Sequence, residues 1–485
     1  MKQRLFSQWW IGLAQTVTLA SLTALTTIAT TNQPSHAKGH TFYCGKSKGI
    51  PVTFARTQDS RIDFDQINSS SVTVKGDILS QGFSEPPKTT KQKVDDLLIQ
   101  AADKYEIGDY RGAILAYDEV IRLTPNNSEA LLYRGSAYDE LGDKQAAIKD
   151  YNLAIKFNPN YADAYNNRGI VRNDLGDKQG AIDDYNLAIK FNPNYADAYN
   201  NRGIARYQLG DKPGAIDDYT QAIKINPNYA DAYNNRGIVR KELGDKQGAI
   251  DDYNLAIKFN PNYALAYIGR GVVRYELGDK QGAIDDYNQA IKINPNYADA
   301  YYNRGVVRYE SGDKQGEIDD YNLSIKFNHN YANSYYNRGN VRYDLGDKQS
   351  AIDDYNLAIK INPNDAHAYY NRGNVRDDLG EKQGAIDDYN LALKFNPNLA
   401  QAYINRGNVR YDLGDNQGAI DDYNLVIKID PNDADAYNNR GNAYATLGDK
   451  FQAISDFKQA AKIYQQQGNN ETYQDALNRI RELQP

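Results

Sequence analysis

A 34-residue period repeats eleven times between residues 94 and 467, and few folds can be built from such a chain. A unit this short cannot bury a core alone, so each copy must stack on its neighbours. The copy from Ala196 to Tyr229 reads ADAYNNRGIARYQLGDKPGAIDDYTQAIKINPNY, and unit positions are numbered here from its first residue. Gly stands at position 15 in all eleven copies, from Gly108 to Gly448, just past the end of a helical pattern. Only Gly takes up the left-handed C-cap conformation there without strain. Pro at position 32 closes nine of the eleven copies. A periodic stretch lies on each side of the Gly, so each unit is a pair of helices, A and B.

The recurring residues are Tyr at position 4, Gly at 8, Gly-Asp at 15 and 16, Ala at 20, Tyr at 24, Ala at 27 and Pro at 32. Small residues at 8 and 20 let helix A and helix B approach, while the aromatics fill the space beside them. This pattern closely resembles the tetratricopeptide repeat family. The resemblance implies an all-α fold, an α-solenoid in which helix-turn-helix units form a right-handed superhelix with A helices lining the inner surface. Terminal units of such an array need caps. The amphipathic stretch from Asn469 to Leu483 supplies one, so residues 468–485 are expected to form a capping helix.

Residues 1–37 carry Lys2 and Arg4 but no acids, then an apolar and Thr-rich run from Ile11 to Thr31, then Ser35-His36-Ala37. That is the pattern of a secretory signal peptide cleaved after Ala37, the alternative being an uncleaved membrane anchor. Residues 38–93 hold nine Lys/Arg and five Asp/Glu, whereas residues 94–485 hold 45 basic and 58 acidic residues, a net charge of −13. An acidic array repels nucleic acid and anionic membranes, so a neutral or basic polypeptide is the compatible partner. Within the leader, Phe42-Tyr43-Cys44-Gly45, Gly49-Ile50-Pro51 and Ala55-Arg56-Thr57 resemble the opening strand region of exported, circadian-oscillating proteins of photosynthetic bacteria. About two dozen residues match, so 38–93 reads as a domain remnant followed by flexible linker, and the leader as mostly disordered. The resemblance implies an exported protein of the periplasm or thylakoid lumen, with an extracellular or membrane-associated place as the other outcome. Cys44 is the sole cysteine, which excludes an internal disulfide.

Function must then come from the surface of helix A. At about 100° per residue, positions 2, 6, 9 and 13 share one face, and 4, 7, 8 and 11 lie opposite with the packing signature. On the open stripe, position 6 is Asn167, Asn201, Asn235, Asn303, Asn337, Asn371, Asn405 and Asn439. An Asn amide donates and accepts, so it can hold an extended backbone without reading its side chains. Helices about 8–10 Å apart give one Asn per roughly three residues of extended ligand. The arrangement resembles the asparagine ladder of the O-linked N-acetylglucosamine transferases; nothing here resembles their sugar-transferring domain. The alternative is a solvated face inherited by duplication.

The groove lining is expected to vary along the array. Position 9 is apolar in early copies (Ile170, Ile204, Ile238, Val272, Val306) and Asn in later ones (Asn340, Asn374, Asn408, Asn442). Tyr275, Tyr309 and Tyr343, with Tyr207 and Tyr411, stand at position 12, and acids recur at positions 2 and 13. Apolar ligand side chains would suit the first half, polar ones the second, and the acidic rims would favour Lys or Arg. Gly269 interrupts the ladder beside Leu265 and Ile268, suggesting an apolar subsite. Arg at positions 7 and 11 lies on the packing side and is expected to stack on Tyr at 24 and to pair with the acids at 22 and 23.

One copy departs from the rest. In residues 298–331, Ser311, Glu317, Ser324 and His329 replace Leu, Ala, Ala and Pro, which predicts a soft joint. Catalysis has no support: His36, His40, His329 and His367 show no metal spacing, and no phosphate loop or nucleophile elbow occurs. The chain is expected to be a non-enzymatic scaffold without cofactor, holding a protein or extended peptide in the groove. The alternatives are a structural spacer or self-associating surface protein, and a regulated groove into which the basic leader folds back.

Overall fold

The computed structural model describes residues 88–484 together with the backbone of two short strands, β1 (His40–Phe42) and β2 (Val52–Phe54). The expected signal peptide, its cleavage after Ala37, Cys44 and most of the remnant lie outside the described residues. β1 and β2 pair antiparallel, with Thr41 opposite Thr53. From Thr90–Glu106 to Asn470–Leu483 the described chain is a run of twenty-three helices joined by tight turns. The described residues divide into two compact units, with the boundary between Asn294 and Pro295.

The local signals account for the elements. Gly176 and its counterparts at position 15 have φ between +77° and +88°. The following Asp is the N-cap of helix B: Asp177 accepts a hydrogen bond from the Gly180 N–H at 3.0 Å. Glu381 replaces this Asp in one copy and makes no such bond, its longer side chain missing the amide. The first helix begins at Thr90, four residues before the expected start, because Thr89 and Gln92 form a capping box within the stretch read as linker. At the other end Asn470–Leu483 is a helix that packs Ile480 against Ala453 and Phe457.

Helix A meets helix B where Gly at position 8 faces Tyr at 24. A Cβ on Gly169 would lie 2.6 Å from the Tyr185 ring, so nothing larger than Gly fits. Tyr185, Tyr219, Tyr253, Tyr287, Tyr355 and Tyr389 are accordingly among the most deeply buried side chains. Gly269 has the same cause: a Cβ there would be 2.6 Å from the ring of Tyr253. Leu265 and Ile268 beside it are buried at 7% and 3% exposure, so the expected apolar subsite is packed core.

The arginines are structural, with a partner set that differs from expectation. Arg168 at position 7 donates from Nε and Nη2 to Asp184, and Arg172 at position 11 donates from Nη1 to the same carboxylate at 2.9 Å. Asp183 takes no part and accepts from Gln179 instead. The Arg168 guanidinium lies 5.4 Å from the ring of Tyr165 at position 4, not that of Tyr185 at 24. Three residues apart on one helix, Arg168 and Tyr165 share a face; the position-24 ring is occupied against Gly. The same bidentate pair is repeated as Arg202–Asp218, Arg236–Asp252, Arg338–Asp354 and Arg372–Asp388.

Candidate functional site

From Ser128–Glu140 to Ala264–Glu276, and again from Ala332–Asp344 to Ala434–Thr446, successive A helices approach one another, and no two successive B helices come as close. The A helices therefore line the inner side of each stack, and the position-6 asparagines lie on that side. Their environment is not the open stripe that helical periodicity suggests. Asn201 and Asn235 have no exposure and Asn371 has 7%, while Asn167, Asn303, Asn337, Asn405 and Asn439 are half-buried.

With the exception of Asn303, their amides are tied to the preceding A helix. Asn201 Nδ2 donates to Asn166 Oδ1, and Asn235 Nδ2 to Asn200 Oδ1, each at 3.1 Å. In the second unit the acceptors change: Asn371 Nδ2 donates to Tyr336 Oη at 3.0 Å and to Asn340 Oδ1 at 2.9 Å. Asn405 Nδ2 does the same with Tyr370 Oη and Asn374 Oδ1. Asn337 reaches Tyr302 Oη, and Asn439 reaches Asn408 Oδ1. The expectation of amides free to donate and accept is thus corrected. In Asn371 and Asn405 both N–H groups donate into the array, and the carboxamide oxygen is the part of the amide left to accept.

Position 9 behaves differently in the two units. Ile170, Ile204 and Ile238 are exposed by 2% or less, so they are core and do not offer the apolar subsites expected of them. Asn340, Asn374 and Asn408 accept from the hydroxyls of Tyr355, Tyr389 and Tyr423 at 2.8 to 2.9 Å. Where position 9 is Ile, the hydroxyls of Tyr219 and Tyr253 are buried without a hydrogen-bond partner. Sequence reasoning missed this link between positions 9 and 24, because Tyr at 24 stays the same and only position 9 changes.

The acids are largely engaged. Asp197 at position 2 accepts from Tyr229 Oη at 2.6 Å, and burial pushes the carboxyls of Asp231 and Asp299 above the usual range. At position 13, Glu242 and Glu276 pair with Lys212 and Lys246 of the preceding copies, and Asp412 with Lys382. The expected acidic rim is therefore partly neutralised. Tyr207 and Tyr343 donate to Glu242 and Asp378 of the next A helix, at 2.7 and 2.9 Å. Tyr309 is half-buried beside Asp344, and burial raises its hydroxyl. Tyr275 is half-buried on the same stripe.

Among the described residues no cluster of His, Cys, Asp or Glu is placed to hold a metal ion, and no helix is long and apolar enough to cross a membrane.

Tetratricopeptide repeat family models match residues 100–162, 171–210, 205–244, 230–263, 273–312, 339–380, 366–399, 407–448 and 434–467. No curated protein matches closely enough to name a relative. Among solved structures, MamA is 30% identical over 36% of this chain and 95% of its own, with a TM-score of 0.32. The Cut9–Hcn1 complex of APC/C is 16% identical over 80% of this chain and 96% of the matched one, with a TM-score of 0.40. Yeast Tom70 is 14% identical over 81% and 97%, with a TM-score of 0.35.

Proposed function

Because the chain belongs to the tetratricopeptide repeat family, we propose that it is an interaction scaffold that holds an extended, neutral to basic polypeptide against its A helices. The observation that carries this reading is the pair Asn371 and Asn405, whose amide groups are each held by two acceptors in the preceding helix. A carboxamide fixed in this way keeps its oxygen in one place, and it can accept a backbone N–H without reorganising. The proposal includes export to the periplasm or thylakoid lumen, for which the leader's composition is the ground.

An array of overlapping synthetic decapeptides, each also made with N-methylated backbone, tests it. Binding by the full chain should fall on N-methylation and should fall about tenfold or more in the Asn371→Ala/Asn405→Ala variant, provided its helical melting curve is retained. Binding unchanged in both comparisons would remove the reading. A second reading, a spacer that meets only copies of itself, is favoured by the use of the amide N–H groups as ties between helices. It requires a molecular mass that rises with concentration in sedimentation equilibrium and no peptide binding.

A further inference from the structure

The inner face of the first unit is not empty. β2 (Val52–Phe54) lies with Cα atoms within 8 Å of the A helices Ala196–Gln208 and Ala230–Glu242. Both belong to the same compact unit as the strand. Asn201 and Asn235 are on those two helices, and they alone among the position-6 asparagines have no exposure at all. Asn167, one copy earlier, is half-buried, and so are Asn337, Asn405 and Asn439 in the second unit. Loss of exposure thus coincides with the place where the strand runs.

We propose that this is an intramolecular ligand: the β1–β2 hairpin of the leader occupies the polypeptide groove over Ala196–Glu242, and an outside chain must displace it. The proposal rests on the reading of the inner face as a polypeptide groove. An isolated two-stranded hairpin is marginal in water, and three-residue strands are at the short end of what forms at all. Packing on a helical face is what such a hairpin needs. β1 pairs with one edge of β2, which leaves the opposite edge with unpaired backbone groups of the kind amide side chains satisfy. Charge acts in the same direction at longer range: residues 38–93 carry a net charge of +4 against −13 for the rest of the array and tail. A tethered segment also acts at high effective concentration, so modest intrinsic affinity suffices to keep the groove closed.

The test uses the full chain. With p-benzoylphenylalanine in place of Thr53, irradiation at low protein concentration should give cross-links within one molecule to peptides of Ala196–Glu242. Cross-links spread over B helices, or only between molecules, would overturn the proposal. Because the new side chain can itself unseat the strand, hydrogen exchange of the peptide containing Val52–Phe54 is measured with Thr53 intact. Exchange should be slowed at least about tenfold relative to the free synthetic peptide and should return to that rate in Asn201→Ala/Asn235→Ala. Free-peptide exchange in the unsubstituted chain would sink it. The decapeptide array probes Asn371 and Asn405 in the other unit, so the two ideas fail separately. Array binding with an unprotected leader removes only the hairpin, whereas a protected leader without array binding removes only the outside ligand.

Discussion

Glu317 should make one repeat sensitive to pH, and the size of the effect follows from its surroundings. It stands at position 20, where Ala181, Ala215, Ala351 and Ala385 are fully buried, and it is itself only 1% exposed. Its Oε2 has no hydrogen-bond partner. Burial is the largest cause pushing the carboxyl from its ordinary 4.5 up to about 8; Tyr321 hydrogen-bonds it, Asp344 and Asp313 raise it, and Lys314 lowers it. Folded, the group keeps its proton up to that pH; unfolded, it releases it above 4.5. The unfolded chain therefore binds fewer protons in between, and stability is full below 4.5 and is lost as pH rises through about 8.

At about 1.4 kcal/mol per pKa unit, the loss between about pH 5.5 and about pH 9 comes to about 3 kcal/mol. A repeat array need not unfold as one unit, so the measurement is local. Hydrogen exchange of peptides spanning residues 311–330, corrected for intrinsic rates, reads the opening free energy at both pH values. The wild type should lose about 3 kcal/mol of protection, and Glu317→Gln and Glu317→Ala should lose almost none. Equal protection at the two pH values in the unsubstituted chain would refute the reasoning, since it would mean that the carboxylate is ionised and solvated. The soft joint expected of residues 298–331 then takes a specific form. Ser324 and Ser334 are satisfied by each other at 2.8 Å and Ser311 by the Val307 carbonyl, so the weakness is placed on Glu317.

Three further substitutions test the packing. Asp252→Ala leaves Arg236 and Arg240 without the carboxylate that accepts from them at 2.7 to 3.0 Å; hydrogen exchange of peptides spanning residues 236–252 should show a loss of about 3–5 kcal/mol of protection, and less than about 1 would mean the cluster is solvated. Tyr389→Phe should cost about 1 kcal/mol by removing the bond to Asn374, whereas Tyr219→Phe should be neutral or stabilising because that hydroxyl has no partner; equal effects would refute the difference between the units.

The fold was legible because its determinants are local. Gly at 15, Asp at 16 and Ala at 20 each act within a few residues, so period and cap chemistry suffice to place both helices. The structural role of the arginines was legible too, but their aromatic partner was not: each copy has two tyrosines, and only the one three residues away, as Tyr165 is from Arg168, shares the face. What periodicity could not supply is the state of the inner face. Angular position puts Asn371 on the groove side, yet whether its amide is free depends on the distance to Tyr336 and Asn340 in another copy. No spacing within one repeat contains that distance.

Comparing copies across the array recovers part of what a single copy hides. Where position 9 is Ile, in the copies starting at Ala162 and Ala196, position 5 is Asn166 or Asn200 and accepts from the next position-6 amide. Where position 9 is Asn340 or Asn374, position 5 is Tyr336 or Tyr370, and both residues accept from that amide. Between these copies two positions differ together while Asn at 6 stays, although the match is not kept throughout: Tyr302 stands with Val306 and Ile404 with Asn408. A side chain that merely solvates a groove needs no matched acceptors on the neighbouring helix, since water satisfies it. A carboxamide that must present its oxygen in a fixed direction does need them, because two donated hydrogen bonds set the plane of the amide. The ties between helices and the proposed capture of a backbone are then parts of one device: the same bonds that join consecutive A helices hold the acceptor in line for a strand running across them.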